Sequence, residues 1–228
     1  MRTLIAIFIL TNLCSCSNKQ SNNLDVKNKD IDKNHLTISV IDSKFPLSLD
    51  KISLKEKNNL ISLNDGINAK IEETIKKHAE EFYDNSQTYK DTYINTIRLK
   101  DSLQTIFLVL LKHYPTQEVN SKILFYDNLK KEFVDKEFEF KLYALYDYNN
   151  KKLTPTNLKT DFKLNFPEIE IMDFNKDGIN DYKFKRLWHN GTFNSIHTTI
   201  LTIKNSSIDT LYFCEEELGE LAKKKNCL

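Results

Sequence analysis

The sequence predicts an α+β fold: mainly an antiparallel β-sheet meander, with one long amphipathic helix and a short C-terminal helix. From residue 93 onward, apolar or alternating segments recur between turn residues, which is typical of consecutive antiparallel strands. Residues 64–84 repeat apolar side chains at helical spacing. Residues 215–225 begin with glutamates and end with lysines, the charge order that suits a helix dipole.

The N-terminal half of the pattern predicts one strand and then the long helix. A first strand is predicted over residues 35–41 because residues 36–40 alternate as a strand does, and Pro46 ends that pattern. Asn64 and Asp65 are suitable caps for a helix that continues to about residue 84. Its apolar face consists of Ile67, Ile71, Ile75, His78 and Phe82. We interpret His78 as a partly buried structural histidine in preference to a ligand.

The remaining chain is predicted to be β-rich. Residues 106–111 are continuously apolar, which indicates a central strand covered on both faces. The predicted strands span residues 93–99, 105–113, 122–126, 137–148, 162–172, 181–188, 192–204 and 208–213.

A hairpin is predicted at Asn190-Gly191, the dipeptide that favours a two-residue type I′ turn. Such a turn pairs Trp188 with Phe193 and places Trp188 and His189 at the tip. These two residues are candidates for a contact surface, because aromatic side chains anchor interfaces. The alternative is that Trp188 and Phe193 only pack the hairpin.

Residues 173–181, with the sequence Asp-Phe-Asn-Lys-Asp-Gly-Ile-Asn-Asp, have the pattern of a calcium-binding loop. Oxygen-bearing side chains at alternate positions can surround a hard cation, and Gly178 permits the sharp bend. The predicted ligands are Asp173, Asn175, Asp177, the carbonyl of Ile179, and Asp181. The alternative is a polar turn without an ion. A bound Ca²⁺ is expected to be structural and not catalytic.

The loop departs from an EF-hand, because Phe184 stands where an EF-hand has its bidentate glutamate and the flanks have strand patterns. It resembles the D-x-N-x-D-G-x-x-D loops of FG-GAP and related β-propeller repeats. Because the motif occurs once, it does not predict a propeller. The segment 169–188 also resembles periplasmic immunity proteins that carry one such loop between strands.

The first sixteen residues have the features of a lipoprotein signal peptide. Met1-Arg2 precedes an apolar run at residues 4–10 that is too short to span a bilayer. Leu13-Cys14-Ser15-Cys16 resembles a bacterial lipobox with Cys16 as the lipidated residue. The alternative is an ordinary secretory signal. Residues 17–35 are polar and are predicted to be a flexible tether, followed by a single domain at 36–228.

Cys214 and Cys227 are predicted to remain mostly unbridged. A helix over residues 215–225 would rise about 16 Å, whereas the Cα atoms of a disulfide lie within about 7 Å.

Composition and motifs restrict the function. The net charge of +1 gives no electrostatic reason to expect a nucleic-acid partner. With four glycines there is no phosphate-binding or nucleophile-elbow motif, and no H-E-x-x-H occurs. We therefore predict a non-enzymatic, calcium-stabilised envelope lipoprotein. It would be anchored to a membrane by lipid, face the periplasm and bind an envelope protein or cell-wall partner. The alternatives are an inhibitor or immunity protein against a peptidoglycan-cleaving toxin, and a calcium-dependent hydrolase.

Overall fold

The computed structural model describes residues 36–49, 52, 54, 63–82, 89–112, 118–134, 138–139, 144–147, 152–155, 167–189, 194–218 and 227. An α-helix, α1 (Asp65–Phe82), follows the first strand, and a 3-10 turn at Tyr89–Thr92 precedes the second. The described strands are β1 (Val40–Ser43), β2 (Tyr93–Lys100), β3 (Gln104–Lys112), β4 (Glu118–Asp127), β5 (Glu132–Phe133), β6 (Phe138–Glu139), β7 (Ala144–Asp147), β8 (Lys152–Pro155), β9 (Ile169–Met172), β10 (Asp181–His189), β11 (Asn194–Lys204) and β12 (Ser207–Leu218).

The strands form two sheets. The described part of the first sheet has the order β1-β2-β3-β4-β7-β8, with β5 and β6 also pairing with β4. Its β1 and β2 are parallel, and the other pairs are antiparallel. The second sheet has the antiparallel order β12-β11-β10-β9. A backbone bridge between Leu47 and Ile169 joins the segment after β1 to the edge of the second sheet.

Strand β3 lies in the middle layer of three. Ile106, Leu108 and Leu110 belong to a core cluster that includes Tyr182 and Phe184 of the second sheet. The alternate residues of β3 belong to a second cluster with Ile71 and Ile75 of α1; they are Phe107, Val109 and Leu111. Because successive strand residues point to opposite faces, a continuous apolar run is buried on both sides. The prediction of a central strand covered on both faces is confirmed.

Helix α1 begins where the capping pattern indicated. The Asn64 side-chain oxygen accepts the Gly66 N–H at 2.9 Å, and the Asn64 carbonyl accepts the first helical N–H groups. Ile71, Ile75 and His78 are buried, which agrees with the predicted apolar face, and His78 is fully and not partly buried.

The α+β meander predicted from the sequence is nevertheless wrong as a fold class. The described structure is mostly β, it has two sheets in place of one meander, and it contains no C-terminal helix. The predicted C-terminal helix begins inside β12, which continues through Leu218; residues 219–226 lie outside the described part. Pairing with β11 along 11 registered positions outweighs the local charge pattern that favoured a helix.

The prediction of unbridged cysteines is also wrong. Cys214 and Cys227 form a disulfide with a Cα–Cα distance of 5.8 Å. The prediction depended on a helix that would have held the two residues apart. Because Cys214 lies in a strand, that separation does not arise.

Candidate metal-binding site

The predicted calcium loop connects two antiparallel strands. Asp181 of β10 is registered opposite Met172 of β9, so the strand pair holds the two ends of the loop together. Within the loop, Lys176 and Gly178 have φ values of 59° and 82°. Both are left-handed conformations, which glycine adopts without strain and most other residues rarely adopt. The backbone therefore curls as the sequence pattern predicted, with strands and not helices on both sides.

The first two carboxylates of the loop accept backbone hydrogen bonds. Asp173 accepts the N–H groups of Asp177 and Gly178, each at 3.0 Å. Asp177 Oδ1 accepts the Ile179 N–H at 2.9 Å, and Asn175 Oδ1 accepts the Asp177 N–H at 3.1 Å. These bonds point the polar side chains toward the inside of the loop.

Asp181 differs from the other carboxylates because it is fully buried. Its Oδ2 accepts the Phe174 N–H at 2.8 Å. Among the described residues, its Oδ1 has no hydrogen-bond partner. A buried polar atom without a partner costs about 1–3 kcal/mol, and more when it is charged. A cation at this oxygen would satisfy it, so the residue set fits a metal ion.

In the described side-chain arrangement, the candidate ligands already accept hydrogen bonds. No group of three or more His, Cys, Asp or Glu residues in the described ranges could hold a metal as it stands. Asp173 is turned to backbone amides, and Asp177 Oδ2 accepts both the Asn175 amide at 2.8 Å and the Lys204 ammonium. The ligand types are those of a calcium loop, but ion binding requires these side chains to exchange N–H donors for the cation.

Two residues of this site were not predicted. Lys204 arrives from the end of β11, and Asp101 from the turn after β2. Asp101 Oδ2 accepts the Asn180 amide at 2.9 Å and the Tyr182 hydroxyl at 3.3 Å. Burial raises the pKa of Tyr182, so its hydroxyl stays protonated and donates. The loop is thereby tied to the first sheet as well as to its own.

An open groove of about 440 Å³ borders the loop. Its apolar lining includes Leu103, Leu129, Ile179 and Ile203, and Lys204 lies at its polar side. Leu129 is 76% exposed, which is unusual for a large apolar side chain. Local sequence gave no signal for this groove, because it forms where turns from both sheets meet.

The hairpin that carries the predicted contact residues has a different register from the prediction. His189 pairs with Asn194, Trp188 with Ser195 and Arg186 with His197. The predicted Trp188–Phe193 pairing is therefore wrong. The strands leave residues 190–193 as a four-residue connection, outside the described part, where the Asn-Gly dipeptide predicted two. Four-residue hairpin loops are also common, so the dipeptide alone does not determine the register.

Trp188 stacks on His197, with ring centroids 5.2 Å apart and planes 18° apart. His197 in turn contacts the ring of Phe213, which is 59% exposed. We call Trp188, His197 and Phe213 the aromatic row, because their rings contact in series at diagonal positions of β10, β11 and β12. Trp188 is the seventh residue after Asp181, about 23 Å along β10. The side chain of His189 lies outside the described part.

No protein-family model matches this chain, and no curated protein or solved structure matches it. In the described ranges, no helix is long and apolar enough to cross a membrane. The predicted signal peptide, Cys16 and the tether all lie outside the described residues.

Proposed function

We propose that this chain is a calcium-stabilised, lipid-anchored protein of the bacterial cell envelope that binds another macromolecule without catalysis. The observation that carries the proposal is the buried Asp181 carboxylate, whose Oδ1 has no hydrogen-bond partner among the described residues. It stands at the end of a loop that also supplies Asp173, Asn175 and Asp177. A loop of these oxygen ligands suits a divalent cation.

Calcium is the preferred ion. The ligands come from a curled loop of irregular backbone, and Ca²⁺ accepts six to eight oxygens in flexible geometry. Mg²⁺ demands a nearly ideal octahedron and keeps several waters, which suits such a loop less well. Without the final bidentate glutamate of an EF-hand, the dissociation constant should lie roughly in the micromolar to millimolar range. Ca²⁺ would act by holding β9, the loop and β10 together.

The lipid anchor and the periplasmic location are supported by Leu13-Cys14-Ser15-Cys16 and the polar segment after it. An anchored protein with a flexible tether can search for a partner near the membrane. The absence of a catalytic sequence motif favours binding over turnover. The aromatic row is the proposed contact surface, because it extends Trp188 toward the exposed Phe213.

Isothermal titration calorimetry tests the metal. Wild-type protein freed of metal with EDTA and then dialysed should bind one Ca²⁺, and Mg²⁺ should bind more weakly. Asp173→Ala removes the first ligand and should weaken Ca²⁺ binding by tenfold or more. Glu132→Gln, which changes an exposed residue of β5, is the matched control for charge and should bind as the wild type does. No heat with the wild type at millimolar Ca²⁺ contradicts the metal proposal.

Affinity capture from envelope extract tests the contact surface, using the lipid-anchored full chain. Phe213→Ala should reduce partner recovery, whereas Leu129→Ala removes another exposed apolar residue, one that lines the groove, and should not. If Leu129→Ala reduces recovery and Phe213→Ala does not, the contact surface lies at the groove beside the loop. A captured peptidoglycan-cleaving enzyme whose activity falls on binding would favour the inhibitor function.

A further inference from the structure

Lys204 is held beside the calcium loop by a tight hairpin. It is the last residue of β11 and is registered opposite Ser207, the first residue of β12. Asn205 and Ser206 complete the turn with φ values of 52° and 61°. Two consecutive positive φ values define a type I′ turn, which fixes the direction of both strands. The backbone position of Lys204 is therefore set by the sheet and not by the loop.

The Lys204 ammonium donates to Asp177 Oδ2. The same oxygen accepts the Asn175 amide at 2.8 Å, and Asp177 Oδ1 accepts the Ile179 N–H. Every oxygen of this carboxylate thus already has a donor. A calcium ion needs lone pairs of the same oxygens, so the lysine and the metal compete for Asp177.

Charge balance explains why a lysine stands there. Asp173, Asp177 and Asp181 bring three carboxylates into one nine-residue loop, and like charges at this spacing repel. The Lys204 ammonium donates to Asp177, and the ordinary pKa values of lysine and aspartate lie far above and far below neutral pH. Both groups therefore remain charged at neutral pH, and the pair offsets part of the repulsion.

We propose that Lys204 is the resident cation of the loop, that calcium has to displace it from Asp177, and that this exchange sets the calcium affinity. The inference rests on the proposed calcium function and adds its regulation. With the lysine in place the loop stays closed at low calcium concentration. When calcium displaces it, the Lys204 ammonium moves to the groove side, next to Leu103 and Ile203.

Calcium titration of Lys204→Gln tests this exchange. Gln keeps a polar side chain but removes the competing charge, so Kd should fall about two- to fivefold, the range expected for one exposed ion pair. Lys204→Arg retains the charge and should keep Kd at or above the wild-type value. Lys130→Gln is the matched control. Lys130 donates to Ser206 Oγ at 2.6 Å, and among the described residues it has no hydrogen bond to a loop carboxylate, so its removal should leave Kd near wild type.

Thermal melts of the same variants in EDTA and in calcium give a second readout. Lys204→Gln should melt lower than the wild type in EDTA, because the carboxylates lose their counter-charge, and should gain more from calcium. Equal or weaker calcium binding by Lys204→Gln, in a protein that melts cooperatively, overturns the exchange while leaving the calcium site standing. Calcium binding by Lys204→Gln but not by the wild type supports the exchange and contradicts calcium occupancy of the natural chain. If neither the wild type nor Lys204→Gln binds calcium, both the exchange and the calcium site are overturned.

Discussion

Asp181→Asn should act in opposite directions in the two metal states. The substitution keeps the size of the side chain and keeps an oxygen that can accept the Phe174 N–H. It removes the charge from a fully buried group whose second oxygen has no partner in the described structure. Without metal, this relieves the repulsion between Asp181 and the other two carboxylates of the loop. With calcium, it removes a ligand.

The magnitudes follow from these two roles. The repulsion that the neutral amide relieves is worth about 1 kcal/mol for charges about 4 Å apart in water. For a chain of this length, 1 kcal/mol corresponds to about 2–4 °C in the melting temperature. Calcium at one hundred times Kd stabilises the wild type by about 2.7 kcal/mol, or about 5–11 °C. Asp181→Asn should lose most of that increase.

The assay is a thermal melt followed by circular dichroism, in excess EDTA and then in millimolar calcium. The variant should melt about 2–4 °C above the wild type in EDTA and clearly below it in calcium. Glu132→Gln controls for the change in net charge and should match the wild type in both buffers. A variant that melts lower in EDTA and still gains the full calcium increase would refute the assignment of Asp181 as a ligand.

Three further substitutions test the anchor, the disulfide and an ion pair between the first two strands. Cys16→Ala should move the protein from the membrane to the soluble fraction; unchanged membrane partition without lipid by mass spectrometry speaks against the anchor. Cys227→Ser should lower the free energy of unfolding by about 3 kcal/mol, as for a loop of similar length, and reduced wild type should match it in urea denaturation. Asp42→Asn removes the carboxylate that accepts the Arg98 guanidinium, a hydrogen bond that lowers the pKa of Asp42. Because the pKa of Asp42 is lower in the folded state than its unfolded value near 3.8, the ionised carboxylate stabilises the fold above that pH. This stabilisation is lost as the pH falls through the folded-state pKa. The stability difference between wild type and Asp42→Asn should therefore shrink below about pH 4, and a difference independent of pH argues against the pair.

The parts of this molecule that the sequence predicted correctly depend on short-range patterns. The loop between β9 and β10 is recognisable because its ligands alternate around one glycine within nine residues. Strand β3 is recognisable because its apolar run is too continuous for a half-exposed strand. The start of α1 is recognisable because Asn64 is a helix-capping residue.

The errors concern pairing between distant segments. Glutamates followed by lysines after Cys214 suit a helix locally, but β11 offers a long partner strand, and cross-strand pairing prevails through Leu218. Within that pairing, the Ser195 hydroxyl donates to the Glu215 carboxylate at 2.9 Å. This contact joins neighbouring strands and cannot be predicted from the sequence around Glu215 alone. The same reasoning applies to Lys204, which reaches Asp177 only because the register of the second sheet brings it there.

The Leu47 bridge has a consequence for how densely such a protein can be packed on a surface. Strand β9 pairs with β10 on one side, and Leu47 exchanges backbone hydrogen bonds with Ile169 on the other. The Leu49 N–H then donates to the Glu168 carboxylate at 2.9 Å. An open strand edge is a template for pairing with another copy. The proposed lipid anchor would confine copies to two dimensions and raise their encounter rate. By pairing Ile169 with its own chain, the protein shortens the open edge of β9 that a neighbouring copy on a membrane would otherwise meet.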